Sequence, residues 1–231
     1  MNNMVKWGLS ALLSLTLSGQ ALAAFTVSGT RFIYEEGKKN ISFEVTNNAS
    51  DTYGGQVWVD NISESSGVYM VPTPPFFRAA PKQKQIVRIM KTDGGTLPSN
   101  RESLFWLNVQ EIPPKPKEGE NVLSVAINTR VKVFYRPKAL VADRKGAEKS
   151  IKVERRNGTT YLKNPTPYYF AVAKVKADGK LVTLSSDEEQ KLAILAPSGE
   201  VAVSKVPAGA KSISVDTIND WGGVETHALK G

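Results

Sequence analysis

Residues 121–137 run N-V-L-S-V-A-I-N-T-R-V-K-V-F-Y-R-P. Leu123, Val125 and Ile127 alternate with Ser124, Ala126 and Asn128, and Val131, Val133 and Tyr135 continue the same parity. Arg130, Lys132 and Arg136 occupy the opposite phase. Period-two alternation of branched apolar residues is the signature of a β-strand. Pro137 ends it, because proline has no amide proton for a ladder bond. At roughly 3.3 Å per residue such a strand spans about 50 Å, two to three times an ordinary one. A strand of that length either lies in the middle of a sandwich or runs past its own partners and offers an edge. Exposed apolar edges are normally blunted by charge or proline, and neither interrupts Leu123 to Ile127.

The same reading extends outward in both directions. Phe25 to Tyr34 reads as a first strand with Gly29 as a bulge; Ile41, Phe43 and Val45 alternate with Ser42, Glu44 and Thr46. Gln56–Asp60, Val68–Val71, Gln85–Lys91 and Leu104–Glu111 are further strands, separated by polar or proline-rich turns. Pro72-Thr73-Pro74-Pro75 ends one of them, and Phe76 and Phe77 are expected to pack back into the core. About seven short strands in succession with turn signals between them indicate an immunoglobulin-like sandwich. Beyond Pro137 the pattern weakens through 139–149, which reads as a linker. A second strand set follows: Ile151 and Val153 lead into Asn157-Gly158, a two-residue hairpin signal, and Thr160–Lys163 returns. Tyr168–Val175, Leu181–Leu184, Ala193–Leu195, Val201–Val206 and Ile213–Ile218 complete a smaller β domain, with one helical turn at Asp187–Leu192. The fold class is therefore all-β, with two domains.

The N-terminus has the form of an export signal: Lys6, an apolar run from Leu9 to Leu17, then Ala21-Leu22-Ala23 as a small-x-small cleavage site. The run is too short to span a bilayer as a helix, and no other apolar run approaches that length. These features divide the chain into a signal peptide at 1–23, a first domain at 24–140 and a second at 141–231. Cysteine is absent, which excludes thiol redox chemistry and cysteine metal sites. The single histidine, His227, reads as a surface residue, and it is too few for a zinc centre or a Ser-His-Asp triad. No glycine-rich phosphate loop follows a strand, and Gly222-Gly223 reads as a turn. The residues point to no catalytic site and no metal. The formal charge of +8 is spread over scattered pairs such as Lys38-Lys39, Arg144-Lys145 and Arg155-Arg156, read as a solvated basic surface or as steering toward an acidic partner. None is interleaved with aromatics, which argues against nucleic acid.

The segment T-R-V-K-V-F-Y-R-P at 129–137 resembles the closing strand of the first domain of periplasmic pilus chaperones of the chaperone–usher pathway. Six more segments similar to that family stand in the same order: G-T-R-F-I-Y at 29–34, T-P-P-F-F-R at 73–78, R-E-S-L-F-W-L-N at 101–108, E-I-P-P at 111–114, N-P-T-P-Y-Y at 164–169 and I-N-D-W-G-G at 218–223. The resemblance spans essentially the whole chain after the signal. It implies two immunoglobulin-like β-sandwich domains in a boomerang arrangement, located in the periplasm, that bind pilus subunits by donor-strand complementation and pass them to an outer-membrane usher without a cofactor. It implies that Leu123, Val125 and Ile127 enter a subunit's groove, a case of β-strand addition. It implies that Arg31 and Lys132 anchor the subunit's C-terminal carboxylate, and that Glu102, Arg136 and Asp220 form an ion network between the domains. Both anchor cations are expected to be exposed in the free protein. Lys132 is out of phase with Leu123 and is expected to face the cleft. The short loop Pro113–Glu120 resembles the branch that serves rod-forming pili. The free protein could hide its apolar edge by self-association. A lectin or adhesin would instead use exposed loop aromatics, for which Tyr168, Tyr169 and Trp221 are the candidates.

Overall fold

A computed structural model describes residues 23–64, 66–116 and 123–230. The signal segment before Ala23, the end of the Pro113–Glu120 loop from 117 to 120, and Asn121 and Val122 lie outside the described residues. In the first domain the strands are β1 (Phe25–Val27), β2 (Arg31–Glu35), β3 (Ile41–Asn47), β4 (Tyr53–Asn61), β5 (Met70–Thr73), β6 (Phe76–Ala79), β7 (Lys84–Lys91), β8 (Ser103–Ile112) and β9 (Asn128–Arg136). They form two sheets with orders β1-β3-β7-β5 and β2-β9-β8-β4-β6. Phe43, Val45, Val87, Phe105, Leu107, Val133 and Tyr135 pack between them, the inward halves of the alternations read above.

Several expectations are corrected here. Phe25–Tyr34 is not one bulged strand. It switches sheets at 28–30, so β1 pairs with β3 while β2 pairs in parallel with β9. Phe77 packs against the core but Phe76 is exposed, because adjacent strand residues face opposite ways. β5 runs through Pro72 to Thr73, ahead of a cis Thr73–Pro74 bond; it is an edge strand, where a missing amide proton is tolerated. The long strand of 121–136 is regular only from Asn128. Before that, the bond from Glu111 N–H to Ile127 O continues the β8 pairing by one residue.

The second domain contains β10 (Lys152–Arg156), β11 (Thr159–Lys163), β12 (Val172–Ala177), β13 (Lys180–Leu181), the helix α1 (Ser186–Leu192), β14 (Glu200–Val203), β15 (Ile213–Ile218) and β16 (Val224–Leu229). Its sheets have orders β10-β11-β14 and β13-β12-β15-β16. Asn157 and Gly158 both take positive φ, 50° and 77°, as the hairpin requires. The helix is closed by a capping box between Ser185 and Glu188. β12 begins at Val172, four residues later than the alternation suggests, and Ala193–Leu195 contributes a single bridge, Phe170–Leu195. The V-E-T-H-A-L pattern of β16 alternates too weakly to predict a strand. β16 places His227 opposite Val215, buried rather than on the surface. The segment 139–149 is ordered: with its flanks it makes two 3-10 turns, at Lys138–Leu140 and Ala147–Ser150, and Arg144 and Glu148 are buried. Leu104, Phe134 and Tyr169 form a small apolar cluster where the two domains meet.

Candidate functional site

The seam between the domains is built on charges. Arg136, the last residue of β9, donates from Nε to Glu102 Oε1 at 2.6 Å and from NH1 to Asp220 Oδ2 at 2.7 Å. Glu102 is fully buried just before β8, and its second oxygen accepts the Tyr169 amide at 2.8 Å. Burial pushes the Glu102 carboxyl up, against the pull of Arg136 and the Tyr169 amide. Burial likewise works against the Arg136 guanidinium, but Asp220 and Glu102 outweigh it and hold Arg136 as a cation. The fork geometry of arginine suits this bridging of two carboxylates. Sequence reading missed the rest of the network. Arg144 reaches Asp220 Oδ1 at 3.3 Å and Glu148 Oε1 at 2.8 Å. In sequence the Arg144-Lys145 pair reads as solvated surface or as steering toward an acidic partner; in the fold Arg144 is buried. Its i, i+4 spacing to Glu148 was the available signal.

Next to the seam lie the two cleft cations. Arg31 and Lys132 are directly opposite each other in the parallel β2–β9 register. Neither is exposed as expected; both are half-buried and engaged by the second domain. Arg31 donates from NH1 to the Ile218 carbonyl at 2.7 Å, and Lys132 donates from Nζ to the Ala193 carbonyl at 2.6 Å. Lys132 also lies over the Trp106 ring, 5.7 Å from its centre. Burial, then repulsion from Arg31, brings the Lys132 ammonium down to about 8. Arg31 is lowered by burial too, with Asp220 opposing. Arg31 Nε is buried without a hydrogen-bond partner. Two adjacent cations whose side-chain hydrogen bonds go to neutral carbonyls make a site suited to an anion with two acceptor oxygens.

The third component is the segment ahead of β9. Leu123 and Val125 are 90% and 59% exposed, and Ile127 is half-buried. β9 pairs with β8 from Asn128 onward on one side, but with β2 only from Lys132 onward on the other. Because β1 has left for the opposite sheet, the β2 side of Asn128–Val131 has no strand partner among the described residues. The open edge and the apolar segment are continuous.

Comparisons with known proteins identify the family of the chain. Residues 24–141 match the family described as "Pili and flagellar-assembly chaperone, PapD N-terminal domain", and residues 146–229 match "Pili assembly chaperone PapD, C-terminal domain". The chain belongs to the pilus-assembly chaperones. Among relatives, it is 43% identical to chaperone protein FanE of Escherichia coli over 96% of this chain and 97% of that protein. It is 40% identical to chaperone protein FaeE of Escherichia coli over 98% and 87%. Among solved structures, the periplasmic chaperone SfaE aligns with a TM-score of 0.72 at 33% identity, covering 90% of this chain and all of that one. The SafB chaperone, solved in complex with the Salmonella enterica SafA pilin, aligns at 0.75 and 27% identity, covering 90% and 96%. The two immunoglobulin-like sandwiches of this chaperone are the fold expected from its sequence. The lectin-type alternative loses two of its three aromatics, since Tyr168 is buried in the core of the second domain and Tyr169 at the domain seam; Trp221 is exposed.

Proposed function

We propose that this chaperone captures pilus subunits in the periplasm by lending them residues 123–131 as a strand, and hands them to an outer-membrane usher. The observation that carries this reading is the apolar alternation of Leu123, Val125 and Ile127, with Leu123 and Val125 exposed, in line with an open sheet edge. An incomplete sandwich with an exposed groove is the partner that such a segment fits. Its main chain extends the sheet while the three side chains enter the groove, each contributing roughly 1.5–3 kcal/mol. Arg31 and Lys132 exchange their carbonyl partners for the subunit's terminal carboxylate, and that contact fixes the register. A slip of one residue would turn every side chain to the wrong face. The Glu102–Arg136–Asp220 network holds the domains in the orientation that forms the cleft. Export requires removal of residues 1–23, leaving domains at 24–140 and 141–231. Capture needs no catalytic residue, metal or cofactor.

The test is Ile127→Glu, which puts an unpaired charge into an apolar groove. The variant is expected to fold with an unchanged melting temperature and to co-purify with no subunit from the periplasm. Unfolding of the variant would make the segment ordinary core, and normal capture would remove it from the interface. For the anchor, Lys132→Ala or a subunit strand amidated at its C-terminus is expected to lose binding. Equal binding of acid and amide would end the carboxylate assignment while leaving the strand assignment intact.

A further inference from the structure

The hairpin β15–β16 carries one side chain that the reading above does not use. Trp221 is 94% exposed, the most exposed large apolar residue among those described. Its turn is nevertheless tightly made. Asn219 Oδ1 accepts the amides of Trp221 and Gly223 at 3.0 and 2.9 Å, and Asn219 Nδ2 donates to Glu225 at 2.6 Å. Gly222 takes φ +84°, and a Cβ there would sit 2.8 Å from Thr30 Oγ1, so the turn is pressed against the start of β2. A rigid turn that holds out a bare indole is presenting it. Trp221 forms one wall of a recess of about 380 Å³ whose other walls include Gly29, Thr30, Arg31 and Asp220.

The topology says what arrives at this recess. A strand added to the open edge of β9 lies in line with β2, because β2 occupies the same edge from Lys132 onward. If it runs parallel to β9, as β2 does, its C-terminal end meets Thr30 and Arg31 head on. The added strand and β2 then resemble one strand with a chain break, with the carboxylate at the break. Side chains alternate along a strand, so one of the last two side chains faces the second domain, where Trp221 stands.

We propose that Trp221 selects subunits whose strand ends in a bulky apolar residue, by packing against that side chain beside the carboxylate. This rests on the carboxylate-anchoring reading. The indole supplies apolar area and an aromatic face at a fixed position. Trp221 is thus a specificity residue at the end of the strand, whereas Leu123, Val125 and Ile127 act along its length.

The experiment uses the mature chaperone and three ten-residue peptides of alternating valine and threonine. One ends in Phe, one in Ala, and one in Phe as the amide; affinities are measured by calorimetry. The wild type is expected to bind the Phe acid about tenfold more tightly than the Ala acid. Trp221→Ala should bring the two within about twofold by weakening only the Phe acid, and Trp221→Phe should keep most of the preference. Val224→Ala, an exposed change on the same hairpin, should alter nothing. Equal wild-type affinity for the Phe and Ala acids, or equal weakening of both by Trp221→Ala, overturns the selection and leaves the anchor standing. Binding of the amide as tight as that of the acid, or no binding of any peptide, overturns the anchoring reading and this inference with it.

Discussion

Val131, Val133 and Tyr135 are buried between the sheets of the first domain, whereas Leu123 and Val125, in the same phase of the same alternation, stand in solvent. Residue type does not separate the two halves, since both present branched or aromatic side chains every second position. The difference is the neighbours. From Lys132 onward the strand has β8 on one side and β2 on the other, and a second sheet beneath it. Before Asn128 it has little beyond one bond to β8. Alternation encodes a face to be buried and does not say whose surface buries it.

The largest expected effect tests the end of the buried half. Arg136→Ala leaves buried Glu102 without its cation, with Asp220 losing a partner, and is expected to cost about 3–5 kcal/mol. Chemical denaturation measures this directly, and faster proteolysis within 139–149 should accompany it. Unchanged stability would show that the seam does not depend on Arg136, and the buried half would then owe its order to apolar contacts alone.

A matched pair of truncations tests the comparison itself. Val133→Ala removes two buried carbons and should lower folding stability by about 2 kcal/mol. Val125→Ala makes the same chemical change in the exposed half. It should leave folding within about 0.5 kcal/mol and instead weaken subunit binding by about 1.5 kcal/mol. If Val125→Ala destabilises the free protein as much as Val133→Ala, the two halves do not differ as described.

The smallest effect sits at the junction between the halves. Lys132 loses its proton near pH 8 in the free protein, below its ordinary 10.5. A bound carboxylate favours the charged ammonium. Above pH 8 binding must therefore take up a proton, and affinity should fall by up to tenfold per pH unit, with little change below pH 8. The free protein behaves oppositely. Its unfolded state binds more protons between about pH 8 and 10.5, so folding stability rises with pH across that window. Lys132→Arg, which stays charged, should abolish both slopes. Parallel slopes for binding and stability would remove Lys132 from the binding site.

Local pattern carried much of this molecule. Period-two alternation placed most strands, Asn157-Gly158 placed a hairpin, and the cysteine and histidine counts narrowed the chemistry before any fold was known. The resemblance across seven segments brought Arg31, Lys132, Glu102, Arg136 and Asp220 into view together, and the structure brings the three network residues into contact. What the pattern could not carry depends on residues far apart in the chain. Arg144 and His227 look like surface residues until neighbouring strands and turns close over them. Gly29 looks like a bulge until β1 and β2 are found in different sheets. Arg31 and Lys132 look exposed until carbonyls of the second domain reach them. Burial and hydrogen-bond pairing are properties of a surface and whatever covers it, and a linear pattern specifies only one side of that contact. By the same logic the sequence determined that Leu123, Val125 and Ile127 form an apolar row, and only the tertiary structure decided that this chain leaves Leu123 and Val125 uncovered.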